Sequence, residues 1–262
     1  MIRYSYSIIV VLFLTAFFAV AMRCQAEEYI IHNDVRGVKS TVYLLDKQFI
    51  SIISNNGEIM VFDAEHQTFT LLDPTLRLQT QIDATETKSK TKAMQQWVLN
   101  NPNHKENSFA AFAVKAEFNE KNDESAGLLT LQSHWIDYEF KTVPFPEQSE
   151  QAAAMYYDFC DWMCYLNLRL NPCSSMMLTR LTANQHLRSK RKFASHVSAA
   201  LYAKGKTTLA QPDLVESSHQ FSRRLSDADR QQIKQVFEYK TTLPAVPFEE
   251  YQKAAVQKIQ TK

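Results

Sequence analysis

Cysteine, histidine and clustered aromatic side chains carry the chemistry this chain of 262 residues could do. Cys160, Cys164 and Cys173 follow a Cys-x3-Cys-x8-Cys spacing. A zinc site wants a paired Cys-x-x-Cys or an adjacent histidine, and neither is present, so no metal is expected. Cys160 and Cys164 fall on one face of a helix, where parallel side chains resist a bond. Cys164 and Cys173 lie on either side of Asn171-Pro172, which makes them the better disulfide pair. The alternative leaves all three thiols reduced and acting as small apolar side chains. A nucleophilic thiol needs a histidine and positive surroundings, whereas Asp158 and Asp161 flank Cys160 with negative charge.

The seven histidines are His32, His66, His104, His134, His186, His196 and His219. None forms H-E-x-x-H or H-x-H, and there is no G-x-S-x-G nucleophile elbow. His196 and His219 lie on segments that read as neighbouring strands. A hydrolase built on them would require a Ser, Cys or Asp within hydrogen-bond reach of either ring. Trp135, Tyr138, Tyr156, Phe159 and Trp162 are the candidates for lining a pocket that takes an apolar ligand. The same aromatics at helix and strand spacing also serve as core. The only glycines are Gly37, Gly57, Gly127 and Gly205. Phosphate-cradling loops need glycines close together, so nucleotide cofactors are not expected.

Residues 1–26 read as a secretory signal peptide. Arg3 supplies the positive start, Ile8 to Met22 is almost wholly apolar, and Ala26 follows Cys24 with the small-residue spacing of a cleavage site. The alternative is an uncleaved anchor, which would be the only membrane contact. Arg23 before Cys24 argues against lipidation. The remaining chain holds 27 basic against 28 acidic residues. That near-neutral balance gives no electrostatic footprint for nucleic acid. Arg188 to Lys192 reads as the solvated end of a helix. The expected location is therefore exported, periplasmic or secreted.

The elements that must position these residues give an α+β chain. A curved antiparallel sheet, made of a meander plus later hairpins, packs against helices. Residues 27–262 form a single domain: 27–143 mostly β with one helix, 144–192 a helical pair, 193–225 β, and 226–262 helical. The entry strand turns near Asn33-Asp34. From Ser40 to Ile82, short β-rich runs are cut at Asp46-Lys47, Asn55-Asn56-Gly57, Ala64-Glu65-His66 and Asp73-Pro74. Polar alternation there puts one side of the sheet in water. Asp83 to Asn101 is a helix with Met94, Trp97 and Val98 on its apolar stripe. His104 to Lys121 is ambiguous, and Asn119 to Ser125 reads as a loop. Gly127 to Val143 is a hairpin turning near Ser133. Glu147 to Leu170 is the most apolar helix, with Met155, Tyr156, Phe159, Trp162, Met163, Leu166 and Leu170 inward. Ser174 caps a second helix to about Lys190. β-structure resumes over Phe193 to Tyr202, Lys206 to Leu209 and Leu214 to Leu225. Ser226 and Asp229 form a capping box, and Pro247 starts a last helix.

The run Asn55 to Asp73, NNGEIMVFDAEHQTFTLLD, with Phe62-Asp63 in its aromatic-Asp place, resembles the periplasmic lipoprotein-carrier superfamily. It is also similar to uncharacterised secreted bacterial proteins of planctomycete type. The resemblance implies a curved half-barrel closed by helices and a lipid as ligand. It transfers no individual binding residue. The leading expectation is a non-enzymatic exported protein that binds an apolar ligand or lipid in a sheet–helix cavity. The alternatives are a ligand-free structural or interaction protein of the cell envelope and, third, a hydrolase.

Overall fold

The computed structural model describes residues 28–54, 57–101, 108–145, 149–172, 174–202, 205–206 and 211–260. The signal segment, Asn55-Asn56, His104, Cys173, Lys204 and the run 207–209 lie outside the described residues. Among the described residues eleven antiparallel strands form one open, curved sheet. They are β1 (Tyr29–Val35), β2 (Val38–Leu45), β3 (Gln48–Ile53), β4 (Ile59–Asp63), β5 (Thr68–Asp73), β6 (Leu78–Asp83), β7 (Asn119–Asp123), β8 (Leu128–Gln132), β9 (Ile136–Pro144), β10 (Lys192–Leu201) and β11 (Asp213–Ser222). Six helices accompany them among the described residues: α1 (Ala84–Asn100), α2 (Phe109–Val114), α3 (Glu150–Leu170), α4 (Met176–Lys190), α5 (Asp227–Thr242) and α6 (Phe248–Gln260).

The strand order is β6-β5-β4-β3-β2-β1-β11-β10-β9-β8-β7. Two meanders are thus joined by β1 and β11, with Ile31 opposite Phe221 and Asn33 opposite His219. Because β6 and β7 are opposite edges, the chain between them must cross the sheet. The 17-residue α1 covers about 25 Å of that path at ~1.5 Å per residue. Asp83 caps it, accepting a hydrogen bond from Glu86 N at 2.7 Å. The α3–α4 pair is inserted between β9 and β10, which are neighbours, so it folds back onto the same sheet.

The main core lies between this helical layer and one sheet face, where Val42, Leu44, Phe49, Phe62, Phe69, Tyr138, Phe140 and Phe193 meet Tyr156, Phe159 and Leu166. On the opposite face Ile30, Tyr43, Ile50, Val61 and Leu72 pack on Val236 of α5. The Ser226–Asp229 capping box starts α5 as expected. Tyr43 then fixes its first turns, donating to Asp229 Oδ1 at 3.0 Å and to Gln232 Oε1 at 2.7 Å, the hydroxyl hydrogen shared between them.

Several expectations are corrected. The first turn is at Arg36-Gly37, both with positive φ, so Asn33 and Asp34 stay within β1. The second face of the meander does not meet water over β4 and β5, because α5 covers it and buries Thr70. Trp97 is 59% exposed, since α1 instead buries Ala84, Thr87, Thr91 and Val98. Asn119–Asp123 is an edge strand, held by its ladder to β8 despite its polar sequence. The residue at the start of α4 is Ser175, without a side-chain cap bond. Leu170 is 38% exposed at the end of α3.

Candidate ligand-binding cleft

Three segments far apart in sequence converge on one cleft of about 400 Å³. Ser51, Ile53, Met60 and Leu71 come from β3–β5, Met163, Leu166 and Leu170 from α3, and Tyr251, Ala255 and Val256 from α6. Residues 163, 166 and 170 share one helix face, as do 251, 252, 255 and 256, so each helix presents a coherent wall. Polar atoms enter through Ser51, Glu58, Asn167 and Gln252. Asn167 turns its amide back along α3, donating to Met163 O at 2.8 Å.

The sheet edge and a buried ion pair hold α6 over this cleft. Gln79 N donates to Pro244 O at 3.0 Å, and Val246 N donates to Gln79 O at 2.9 Å. Farther along, Lys258 Nζ stands 2.6 Å from Asp73 Oδ2, and the Asp73 carboxylate is fully buried. The other oxygen, Oδ1, accepts from Thr75 N and Leu76 N, each at 2.9 Å. Tyr251 is buried, and desolvation, then the charges of Glu58 and Asp73, keep its phenol protonated well above the usual range. Arg169 of α3 lies 4.9 Å from the Phe248 ring centre and ties the two helices at one end.

The aromatics expected to line a pocket are placed apart. Tyr138 is buried under α4, its hydroxyl 2.8 Å from Thr179 Oγ1. Tyr156 packs on Phe193 at 4.9 Å, Phe159 edge-on to Phe49 at 5.9 Å, and Trp162 against Phe62 at 4.9 Å. These four fill the core, and none borders the α3–α6 cleft. Trp135 lies elsewhere, beside Phe112, Val98 and His134 around a shallow hollow between α1 and α2. The cleft's own apolar residues are aliphatic side chains, methionines and Tyr251, with no sequence signature beyond the inward stripe of α3.

Cys160 and Cys164 are free thiols. Burial pushes them up to about 11 and about 12, which keeps them protonated and unreactive. Cys164 is thus a thiol here, while its expected partner Cys173 lies outside the described residues. Among the described residues no group of three or more His, Cys, Asp or Glu is placed to hold a metal.

A second polar arrangement sits on the helix-side face of β1 and β11. His219 Nδ1 is 2.7 Å from Asn33 Oδ1, and its Nε2 is 2.9 Å from Ser217 Oγ. Asn33 in turn donates to Ser40 Oγ at 3.4 Å. With Nδ1–H donating to Asn33, Nε2 accepts from the Ser217 hydroxyl, the connectivity of a nucleophile, base and orienting group. Burial, with the charges of Arg180 and His196, lowers the imidazole to about 4, so it is a weak base. His196 does sit on the neighbouring strand, but it pairs with Ser218 and therefore faces the other side of the sheet. There its Nε2 is 3.9 Å from Glu216.

No family model matches the chain, and no curated protein matches it. Among the described residues no helix is long and apolar enough to cross a membrane.

Proposed function

We propose that the protein is an exported, non-enzymatic carrier that holds an apolar ligand, the acyl chain of a lipid, in the cleft between the sheet and helices α3 and α6. The cleft itself carries this reading. Its volume of about 400 Å³ falls in the range of small-molecule sites. Leu170 and Val256 stand exposed at its rim, 38% and 53%, as an apolar entry. Other hollows of about 410–600 Å³ exist on the molecule, and what sets this one apart is its mostly apolar lining. The N-terminal segment supports export to the periplasm or beyond. The lipoprotein-carrier resemblance of Asn55 to Asp73, which implies a lipid ligand, points the same way.

The test is purification of the mature chain without detergent, organic extraction and mass spectrometry, followed by titration with the neutral apolar fluorophore Nile red. Co-purifying lipid, or saturable Nile red binding that Ala255→Trp abolishes by filling the cleft, is the expected result. Absence of both ends the carrier reading.

A hydrolase is the second reading, favoured by Ser217 standing 2.9 Å from His219 Nε2. A fluorophosphonate adduct on Ser217, lost in His219→Ala, would support it. An unlabelled folded protein would remove it.

A further inference from the structure

Resting on the carrier reading, we infer that the ligand of the α3–α6 cleft is an acyl compound whose ester or amide carbonyl enters the cleft, where the hydroxyls of Tyr251 and Ser51 hold it. Both residues line the cleft, Tyr251 with 6% and Ser51 with 8% of its surface exposed. Among the described residues neither hydroxyl makes a hydrogen bond. That sets Tyr251 apart from the other buried tyrosines. Tyr29 donates to Ser149 Oγ at 3.2 Å, Tyr43 to Asp229 Oδ1 at 3.0 Å and Tyr157 to Lys192 O at 2.8 Å. The Tyr138 hydroxyl is paired with Thr179, and Tyr156 with the Cys160 side chain. A buried tyrosine hydroxyl ordinarily finds a partner, and one without a protein partner is met by water or by a ligand.

Ser51 is equally out of place. On the helix-side face of the sheet it stands in a cross-strand row with Val42, Met60 and Leu71, all apolar. The two hydroxyls come from different walls, Ser51 from β3 and Tyr251 from α6. Their chemistry sets what they bind. Burial, then the charges of Glu58 and Asp73, keep the Tyr251 phenol protonated, so it offers a hydrogen and no negative charge. The serine hydroxyl rotates to suit its partner. A carbonyl oxygen has two lone pairs and can take one hydroxyl or both. An ester carbonyl also brings no hydrogen of its own that would need an acceptor against the aliphatic wall. A plain hydrocarbon in the same place leaves both hydroxyls unpaired, which costs binding free energy. The aliphatic wall supplies affinity for the chain, and the two hydroxyls discriminate an acyl compound from a hydrocarbon.

The experiment measures Nile red affinity for the wild type, Tyr251→Phe and Ser51→Ala. Each protein is then titrated for displacement by two probes, methyl decanoate and the pure hydrocarbon diphenylhexatriene. Tyr251→Phe keeps the ring in the wall and removes only the hydroxyl. The expected result is that methyl decanoate binds Tyr251→Phe about fivefold or more weakly, the factor that corresponds to one hydrogen bond of ~1 kcal/mol, while diphenylhexatriene is unchanged. Ser51→Ala shifts methyl decanoate in the same direction, again without weakening the hydrocarbon. Equal losses for both probes in Tyr251→Phe assign the hydroxyl a structural role and overturn the inference while the carrier reading stands. So does methyl decanoate binding that neither substitution changes, which leaves the two hydroxyls to water. Nile red failing to bind the wild type ends both. Displacement by methyl decanoate that persists in Ala255→Trp places the ligand elsewhere and overturns the assignment to this cleft.

Discussion

Replacing Lys258 by Met removes the cation from Asp73 while keeping most of the side-chain volume. Asp73 is fully buried and retains only Thr75 N and Leu76 N as described hydrogen-bond donors, each 2.9 Å from Oδ1. Stripping one partner from a buried ion pair costs about 3–5 kcal/mol, and the two amide donors favour the lower end. Against this stand the apolar anchors of α6. Tyr251 is 6% exposed and Phe248 is partly buried. Each contributes roughly 1.5–3 kcal/mol. The two sides are similar in size, so α6 is expected to undock locally while the sheet stays folded. Native-state hydrogen exchange reads this directly. Amides of residues 252–258 should lose about 100-fold or more of their protection, the factor that corresponds to about 3 kcal/mol, while β3 to β5 keep theirs. Asp73→Asn with Lys258→Met should restore most of it, because no buried charge is then left alone. Exchange in the single variant within threefold of wild type, or a double variant no better than the single, would refute the view that this pair latches α6.

Three other outcomes follow from local geometry. His219 is lowered from 6.5 to about 4 in the folded state, so between those values the unfolded chain binds a proton that the folded chain refuses. Its contribution, ~3 kcal/mol, is present above pH 6.5, is lost as pH falls toward 4 and levels off below; urea melts across that window should lose this slope in His219→Asn. Gly127 has φ of 62°, and a Cβ there would lie 2.7 Å from Thr142 O, so Gly127→Ala should destabilise the β8–β9 hairpin by more than about 1 kcal/mol in thermal melts. The Cys160 and Cys164 thiols should resist alkylation at pH 8 until urea unfolds the chain, and non-reducing peptide mapping should find Cys164 unbridged; rapid labelling of Cys164 in the folded state, or a Cys164–Cys173 linked peptide, would contradict this.

Much of the secondary structure is legible locally. The alternation from Ile136 to Phe140 puts Ile136, Tyr138 and Phe140 inward, as their burial shows. The turns at Asp46-Lys47 and Asp73-Pro74, the Ser226–Asp229 box and the helix after Pro247 are written in side chains that bond or constrain their own backbone neighbours. Signals of this kind fail where tertiary contacts decide. Asn119–Asp123 carries no strand pattern, and only the partner ladder of β8 makes it one. Trp97 fits the apolar period of α1 yet faces outward, because the surface under α1 is reached by Thr87, Thr91 and Val98.

The candidate cleft lies at the far end of that scale. By itself the sequence determined the α+β class, the meander, the apolar α3 and the starts of α1, α5 and α6, since these depend on residues within a turn or two of one another. The pairing of β1 with β11, which closes eleven strands into one sheet, joins residues some 190 apart and left no local mark. The same holds for Asp73 meeting Lys258 and for Leu71, Met163 and Tyr251 sharing one wall. Those encounters are set by how the whole chain closes on itself, and an aliphatic side chain looks the same in sequence whether it fills a core or lines a space.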